Sequence, residues 1–145
     1  MYKIKKKYED FLGQDHEESF RFNITESEML DLVDSDPAFN PDYLLFITKE
    51  HNGIKIVNVL RKLIVVAYGE MSDDGQHFWK DDERQKAFVQ SAAFDSIISD
   101  FIDGQHADLV KEFILNVFPK KYKESLAKHA AEQEKELAEI TPIKE

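Results

Sequence analysis

The sequence contains no cysteine, which removes disulfides, thiolate nucleophiles and cysteine-based zinc sites together. Glycine is scarce, with 5 residues in 145. No Walker loop and no G-x-G-x-x-G turn is present to cradle a phosphate. No G-x-S-x-G elbow presents a serine nucleophile. Long apolar runs are missing as well. The greasiest, "LIVVAY" from Leu63 to Tyr68, is far shorter than the ~20 residues that cross a bilayer. Basic residues are outnumbered, 19 Lys and Arg against 29 Asp and Glu, for a net charge of −10. Such a chain repels phosphate backbones and anionic lipid, so neither nucleic acid nor a membrane is expected as a partner. The basic cluster near the start, "KIKKKY" from Lys3 to Tyr8, is not followed by an apolar stretch, and no signal peptide is expected there. The expectation is a soluble, cytoplasmic protein.

What is present fits one globular unit. Apolar residues make up 42% and charged residues 33% of the chain, enough to bury a core and leave a solvated face. Tyr2, Ile4 and Tyr8 share one parity over residues 2–9, and Phe20, Phe22 and Ile24 share one parity over 20–24. Period two predicts strands with one buried face. "DFLGQDHEE" between them reads as the longer loop of a β-hairpin, with Glu17 and Glu18 placed to pair with the basic first strand. Thr25 followed by Glu28 is a capping box that starts a helix, and Asp36-Pro37 ends it. Pro41 suits the first turn of the next element. "DYLLFITKEHNG" reads as a helix closed by a left-handed Gly53, with a hairpin turn at Asn52-Gly53 as the competing reading.

Ile56, Val59, Leu60, Leu63, Ile64 and Ala67 repeat at helical spacing. Asp81, Asp82 and Glu83 suit the start of another helix, Ser91 marks a break, and Phe88, Phe94, Ile97, Ile98 and Phe101 form its apolar face. Leu109, Val110, Phe113, Ile114 and Val117 form one more face before Pro119. Beyond it an Ala/Glu/Lys-rich stretch carries only a narrow apolar seam. The predicted fold class is α+β, mostly α: an N-terminal β-hairpin, a compact bundle of about five helices and a polar C-terminal helix. The predicted organisation is a single domain over 1–120 (hairpin 2–24, helical part 25–119) with a helical tail over 121–145. That tail is expected to be dispensable for folding.

Catalytic and metal motifs fail on spacing. An EF-hand count from Asp73 puts Gly75 and His77 at ligand positions, and "DSDPAFNPD" from Asp34 lacks the mid-loop glycine. His16, His51, His77, His106 and His129 form no H-x-x-x-H pair. No catalytic residue, cofactor or metal is expected. Trp79 is expected as a core or interface anchor. The hairpin residues Tyr2, Ile4, Phe20 and Phe22 offer more apolar face than one short helix covers. They are expected, with Trp79, to bind a partner and to promote self-association.

One segment carries a resemblance. An apolar helix ending in Ala67-Tyr68-Gly69 is followed by Ser72, Asp74, Gly75, Phe78 and Lys80, then by Phe88 and the Ala93-Phe94 pair. This order resembles the "YGxxSxDGxxFxK" segment of the tail assembly chaperones of long-tailed bacteriophages. Glu112-Phe113-Ile114 to Pro119 is similar to a later stretch of that family. The resemblance covers roughly residues 2–120 of a single domain. It departs at Gln76-His77, where relatives often carry basic residues. It implies a non-enzymatic protein that binds the tape-measure protein and helps recruit tail-tube subunits in the host cytoplasm, and that is absent from the virion. A small virion or head-tail connector subunit is the alternative. Within the segment, Gly69 is expected to end the helix at a left-handed position. Asp74-Gly75 is expected to form a turn, Phe78 to tuck onto the helices, and Asp81 or Asp82 to cap the next helix.

Overall fold

The computed structural model describes residues 1–40, 43–44, 53–103, 107–125, 127–128 and 131–132. Strands β1 (Tyr2–Glu9) and β2 (Asp15–Phe22) form an antiparallel hairpin with Tyr2 opposite Phe22 and Glu9 opposite Asp15. β2 thus begins at Asp15, ahead of the alternation that starts at Phe20, and Glu17 and Glu18, expected in the loop, pair with Lys7 and Lys6 of β1. Ion pairs and a hydrogen bond cross that distal half: Lys5 lies 2.9 Å and Lys7 3.8 Å from Glu17, and the Tyr8 hydroxyl donates to Glu18 at 2.9 Å. Period two is obeyed along β1. Tyr2, Ile4, Lys6 and Tyr8 turn toward the helices while Lys3, Lys5, Lys7 and Glu9 are exposed.

Helix α1 (Glu26–Ser35) starts at the expected capping box. Thr25 Oγ1 accepts from the Glu28 N–H at 3.2 Å, and Glu28 Oε1 accepts from the Thr25 N–H at 3.0 Å. It ends at Asp36, whose side chain caps a 3-10 turn over Pro37–Phe39. The expected helix after Pro41 lies almost wholly outside the described residues. Gly53 is the first residue of α2 (Gly53–Ala67). Two short strands follow, β3 (Tyr68–Met71) and β4 (Phe78–Trp79), then α3 (Asp82–Val89), α4 (Ala92–Ile102) and α5 (Ala107–Val117). Asp81 caps α3, and Ser91 both ends it and caps α4. A further helical stretch begins at Lys120.

The sheet corrects the sequence reading. "YGEM" and "FW" form a second hairpin, not a plain connector, and β3 pairs with β2 through Arg21–Gly69 and Phe22–Tyr68. The four strands run in the order β1-β2-β3-β4. One face of the sheet is closed by the chain's own helices. Phe113 of α5 meets Phe22 edge-on at 5.6 Å, Tyr2 at 5.5 Å and Phe101 of α4 at 5.4 Å. The exit from β2 is pinned on two helix ends, since Asn23 N–H donates to Ala67 and Ile24 N–H to Val117.

Phe20, Phe22 and Ile24 are therefore core residues. The expected uncovered apolar face on the hairpin does not exist at Phe20 and Phe22. Tyr2 and Ile4 are partly buried against the same core. One residue of the expected tail over 121–145 is packed with the core. Tyr122 is buried, stacks on Phe118 with ring centroids 4.2 Å apart, and donates its hydroxyl to the Phe39 carbonyl. Burial holds that phenol well above its ordinary pKa.

Candidate functional site

The residues that carry the family resemblance converge on one region, where the β3–β4 hairpin meets α3 and α4. The loop between the strands is closed by its own polar groups. Ser72 Oγ donates to Asp74 Oδ1 at 2.6 Å and accepts from the His77 N–H at 3.0 Å. Asp74 Oδ1 also accepts from the Gln76 N–H at 3.0 Å. The Ser72 hydrogen bond, with Gln76 second, holds the Asp74 carboxyl below its ordinary range. Gly75 supplies the left-handed position of the turn, with φ of 74°.

Gly69 acts differently from expectation. It sits inside β3, not at a left-handed helix cap. A Cβ there would lie 2.7 Å from Phe78 Cε2 and 2.9 Å from the Trp79 carbonyl oxygen. Only glycine lets β4 approach so closely.

Lys80 is the clamp of this region. Its ammonium donates to the Asn23 carbonyl and to Glu28 Oε2, the latter at 2.7 Å. It thereby ties the end of β4 to the junction of β2 and α1, across 57 residues of chain. Burial depresses the Lys80 pKa, offset in part by Glu28. For Glu28, burial acts upward, but the Lys80 and Thr25 hydrogen bonds outweigh it and the carboxyl falls below its ordinary range. The 2.7 Å contact is that of an ionised pair.

Tyr68 stacks on Phe88 at 4.0 Å, Phe88 meets Phe94 edge-on at 5.3 Å, and Ala93 is buried beside them. Tyr68, Gly69, Ser72, Asp74, Gly75, Lys80, Phe88, Ala93 and Phe94 are thus accounted for by packing, turn hydrogen bonds and the Lys80 clamp, whereas Phe78, expected to tuck onto the helices, is half-buried beside Gly69 with the Lys80 ammonium 5.7 Å from its ring. Trp79 is the outlier. It stays 45% exposed at the outer edge of the sheet, with the Arg84 guanidinium 5.6 Å from its ring.

No buried side-chain nitrogen or oxygen among the described residues lacks a hydrogen-bond partner. Among them, too, no three His, Asp or Glu residues are grouped to hold a metal ion, and no helix is long and apolar enough to cross a membrane. Two features of the surface are mainly apolar. One is a cleft of about 630 Å³ between α1, the 3-10 turn, α2 and α3. Leu32, Phe39, Val65, Val66, Val89 and Phe94 form its apolar lining, and Arg61, Lys62 and Asp36 lie on it. Such a volume falls within the ~300–1,000 Å³ of binding clefts.

The other feature is the tip of the β1–β2 hairpin. Phe11 and Leu12 are 81% and 86% exposed there. The two features differ in how far sequence could reveal them. A Phe-Leu pair beside Gly13 in an acidic loop is a visible signal. The cleft is assembled from residues up to 62 positions apart and has no sequence signature.

The described residues thus form a sheet closed on one face by helices, with their buried side-chain polar groups hydrogen-bonded and apolar surface at a cleft and a tip. The family model for phage tail assembly chaperones matches residues 1–142. The chain belongs to that family, whose role is in assembly and is not catalytic. The match runs past Pro119 into the C-terminal stretch, which the resemblance read from sequence had left out. No curated protein and no solved structure is significantly similar to the chain.

Proposed function

We propose that this chain is the chaperone of the tape-measure protein. It keeps that long, aggregation-prone client soluble in the host cytoplasm, helps bring tail-tube subunits onto it, and leaves before the virion is complete. Family membership supports the assembly role. The observation that carries the binding mode is the apolar cleft between α1, α2 and α3. The sheet face first expected to bind is filled by the chain's own helices at Phe20 and Phe22. The cleft instead remains open to take apolar side chains of a client segment, as helix-in-groove recognition requires. The net charge of −10 keeps a protein with such a surface soluble.

Co-expression tests this reading. The wild-type chain is expected to raise the soluble yield of the tape-measure protein. The double substitution Arg61→Glu/Val89→Glu, at two exposed positions on the cleft, is expected to abolish that gain while the variant still melts cooperatively. No gain with wild type would refute the chaperone reading, and an undiminished gain with the variant would refute the cleft. Gel analysis of purified virions separates the roles further, because a connector subunit would be retained in the particle.

A further inference from the structure

We infer that, in the client-free chain, the Phe11–Leu12 tip of one copy seats in the apolar cleft of the next. The inference concerns the unoccupied chaperone and does not rest on the identity of the client.

The tip is a built structure. Asp10 Oδ1 accepts from the Leu12 N–H at 2.9 Å and from the Gln14 N–H at 2.8 Å. The Asp10 N–H donates to the Gln14 carbonyl at 2.8 Å, and Gly13 takes a φ of 85° to close the turn. His16 Nε2 lies 2.6 Å from Asp10 Oδ2 and steadies the carboxylate from behind. The Gly13 N–H also donates to the Asp10 carbonyl at 3.0 Å, so four hydrogen bonds from backbone N–H groups fix the tip while both large side chains stay exposed. Apolar groups presented on a rigid support lose little conformational entropy on docking. That distinguishes this pair from the singly scattered exposed residues of any surface.

Charge identifies the receptor. Glu9, Asp10, Asp15, Glu17 and Glu18 surround the tip, and no Lys or Arg lies between residues 9 and 18. A surface that receives it must offer apolar lining and positive charge. Across the described residues the cleft meets both demands. Its lining is apolar, and it carries Arg61 and Lys62. Lys62 is shared with Asp36 at 3.3 Å, whereas Arg61 has no ion-pair partner among the described residues. Its volume of about 630 Å³ has room for a phenylalanine and a leucine side chain. An acidic lipid surface would repel the tip. The β1 edge, the other candidate for self-pairing, is guarded by Lys3, Lys5 and Lys7 in the manner that disfavours edge-to-edge association.

Tip and cleft are different surfaces, so the contact is head-to-tail and propagates instead of closing on itself as a two-fold dimer. Two anchors make an interface well below the ~1,600 Å² of stable complexes, so association is weak and depends on concentration. It also masks the cleft until a client displaces the tip.

Sedimentation velocity tests the inference over roughly 10–1,000 μM, the range in which an interface this small associates. The wild-type chain is expected to form oligomers that grow with concentration. Phe11→Ser/Leu12→Ser and, separately, Arg61→Glu/Val89→Glu are each expected to remain monomeric. Mixed in equal amounts, the two variants are expected to form a dimer and stop there, because one intact tip meets one intact cleft. A wild-type monomer throughout, oligomers that persist in either variant, or a mixture that stays monomeric would each overturn the inference. Amide chemical shifts of wild type on dilution give a second measurement free of substitutions. Residues 10–13 should move together with Leu32, Val65 and Val89, and shifts confined to β1 would overturn the proposal. In co-expression, Phe11→Ser/Leu12→Ser should retain the client's solubility gain, which separates failure of this contact from failure of the chaperone reading.

Discussion

Replacing Lys80 by methionine keeps most of the side-chain stem and removes the charge that ties β4 to the β2–α1 junction. The Lys80 side chain is 12% exposed and its partner Glu28 is 34% exposed. Deleting one member of a fully buried pair costs about 3–5 kcal/mol, because the other charge is stranded. An exposed pair is worth about 0–1 kcal/mol. Glu28 can be rehydrated in part, so its loss lies between these limits. The Asn23 carbonyl also loses its Lys80 donor, which adds on the order of 1 kcal/mol.

A total of about 2–3 kcal/mol is expected. In a domain of 145 residues that corresponds to a fall in Tm of roughly 6–10 °C. Thermal melts by circular dichroism read it directly. A double-mutant cycle with Glu28→Gln should return a coupling of about 1 kcal/mol, since the two groups are in contact. A Tm within about 2 °C of wild type, or a cycle with no coupling, would show that the pair is only a surface contact.

Gly69→Ala should cost about 1–3 kcal/mol, because its Cβ overpacks against Phe78 and the Trp79 backbone; equal denaturation midpoints would remove the close-approach argument. Gly75→Ala meets no atom within 4 Å, so it should cost only the left-handed backbone penalty of about 1–2 kcal/mol, and a larger loss by the same melt would refute that. Truncation after Lys121 removes Tyr122 and with it a buried ring and its bond to Phe39; a loss of about 3 kcal/mol is expected in urea unfolding, against which an unchanged midpoint would count. The folded-state pKa values of Asp10, Glu28, Asp36, Asp74 and Asp81 are all depressed by hydrogen bonds or ion pairs. Their contribution is therefore present above the ordinary values of 3.8 and 4.5. It is lost as pH falls through the lower folded values, so Tm should decline on acidification below about pH 4.5; a Tm that rises there would contradict it.

Much of this protein is written locally. The Thr25–Glu28 box, the stop at Asp36-Pro37, the Asp81 cap and the Ser91 break are each decided by groups within three or four residues of one another. Their hydrogen bonds form wherever that sequence occurs. The alternation of β1 and the turn at Gly75 are legible for the same reason. What depended on tertiary structure is which apolar face is covered, and by what. Phe20 and Phe22 look available in sequence, and only the arrival of Phe88 and Phe113 from distant helices makes them core. Gly69 looks like a helix cap until β4 folds back over it. Tyr122 looks like tail until it reaches the Phe39 carbonyl, 83 residues away. Lys80 is marked in sequence only by its place in the family segment, and its partners belong to a junction formed when the sheet closes. A local hydrogen bond needs only the chain's own geometry, whereas burial requires surfaces far apart in sequence to meet. The cleft and the exposed tip are what remains uncovered once that meeting is complete.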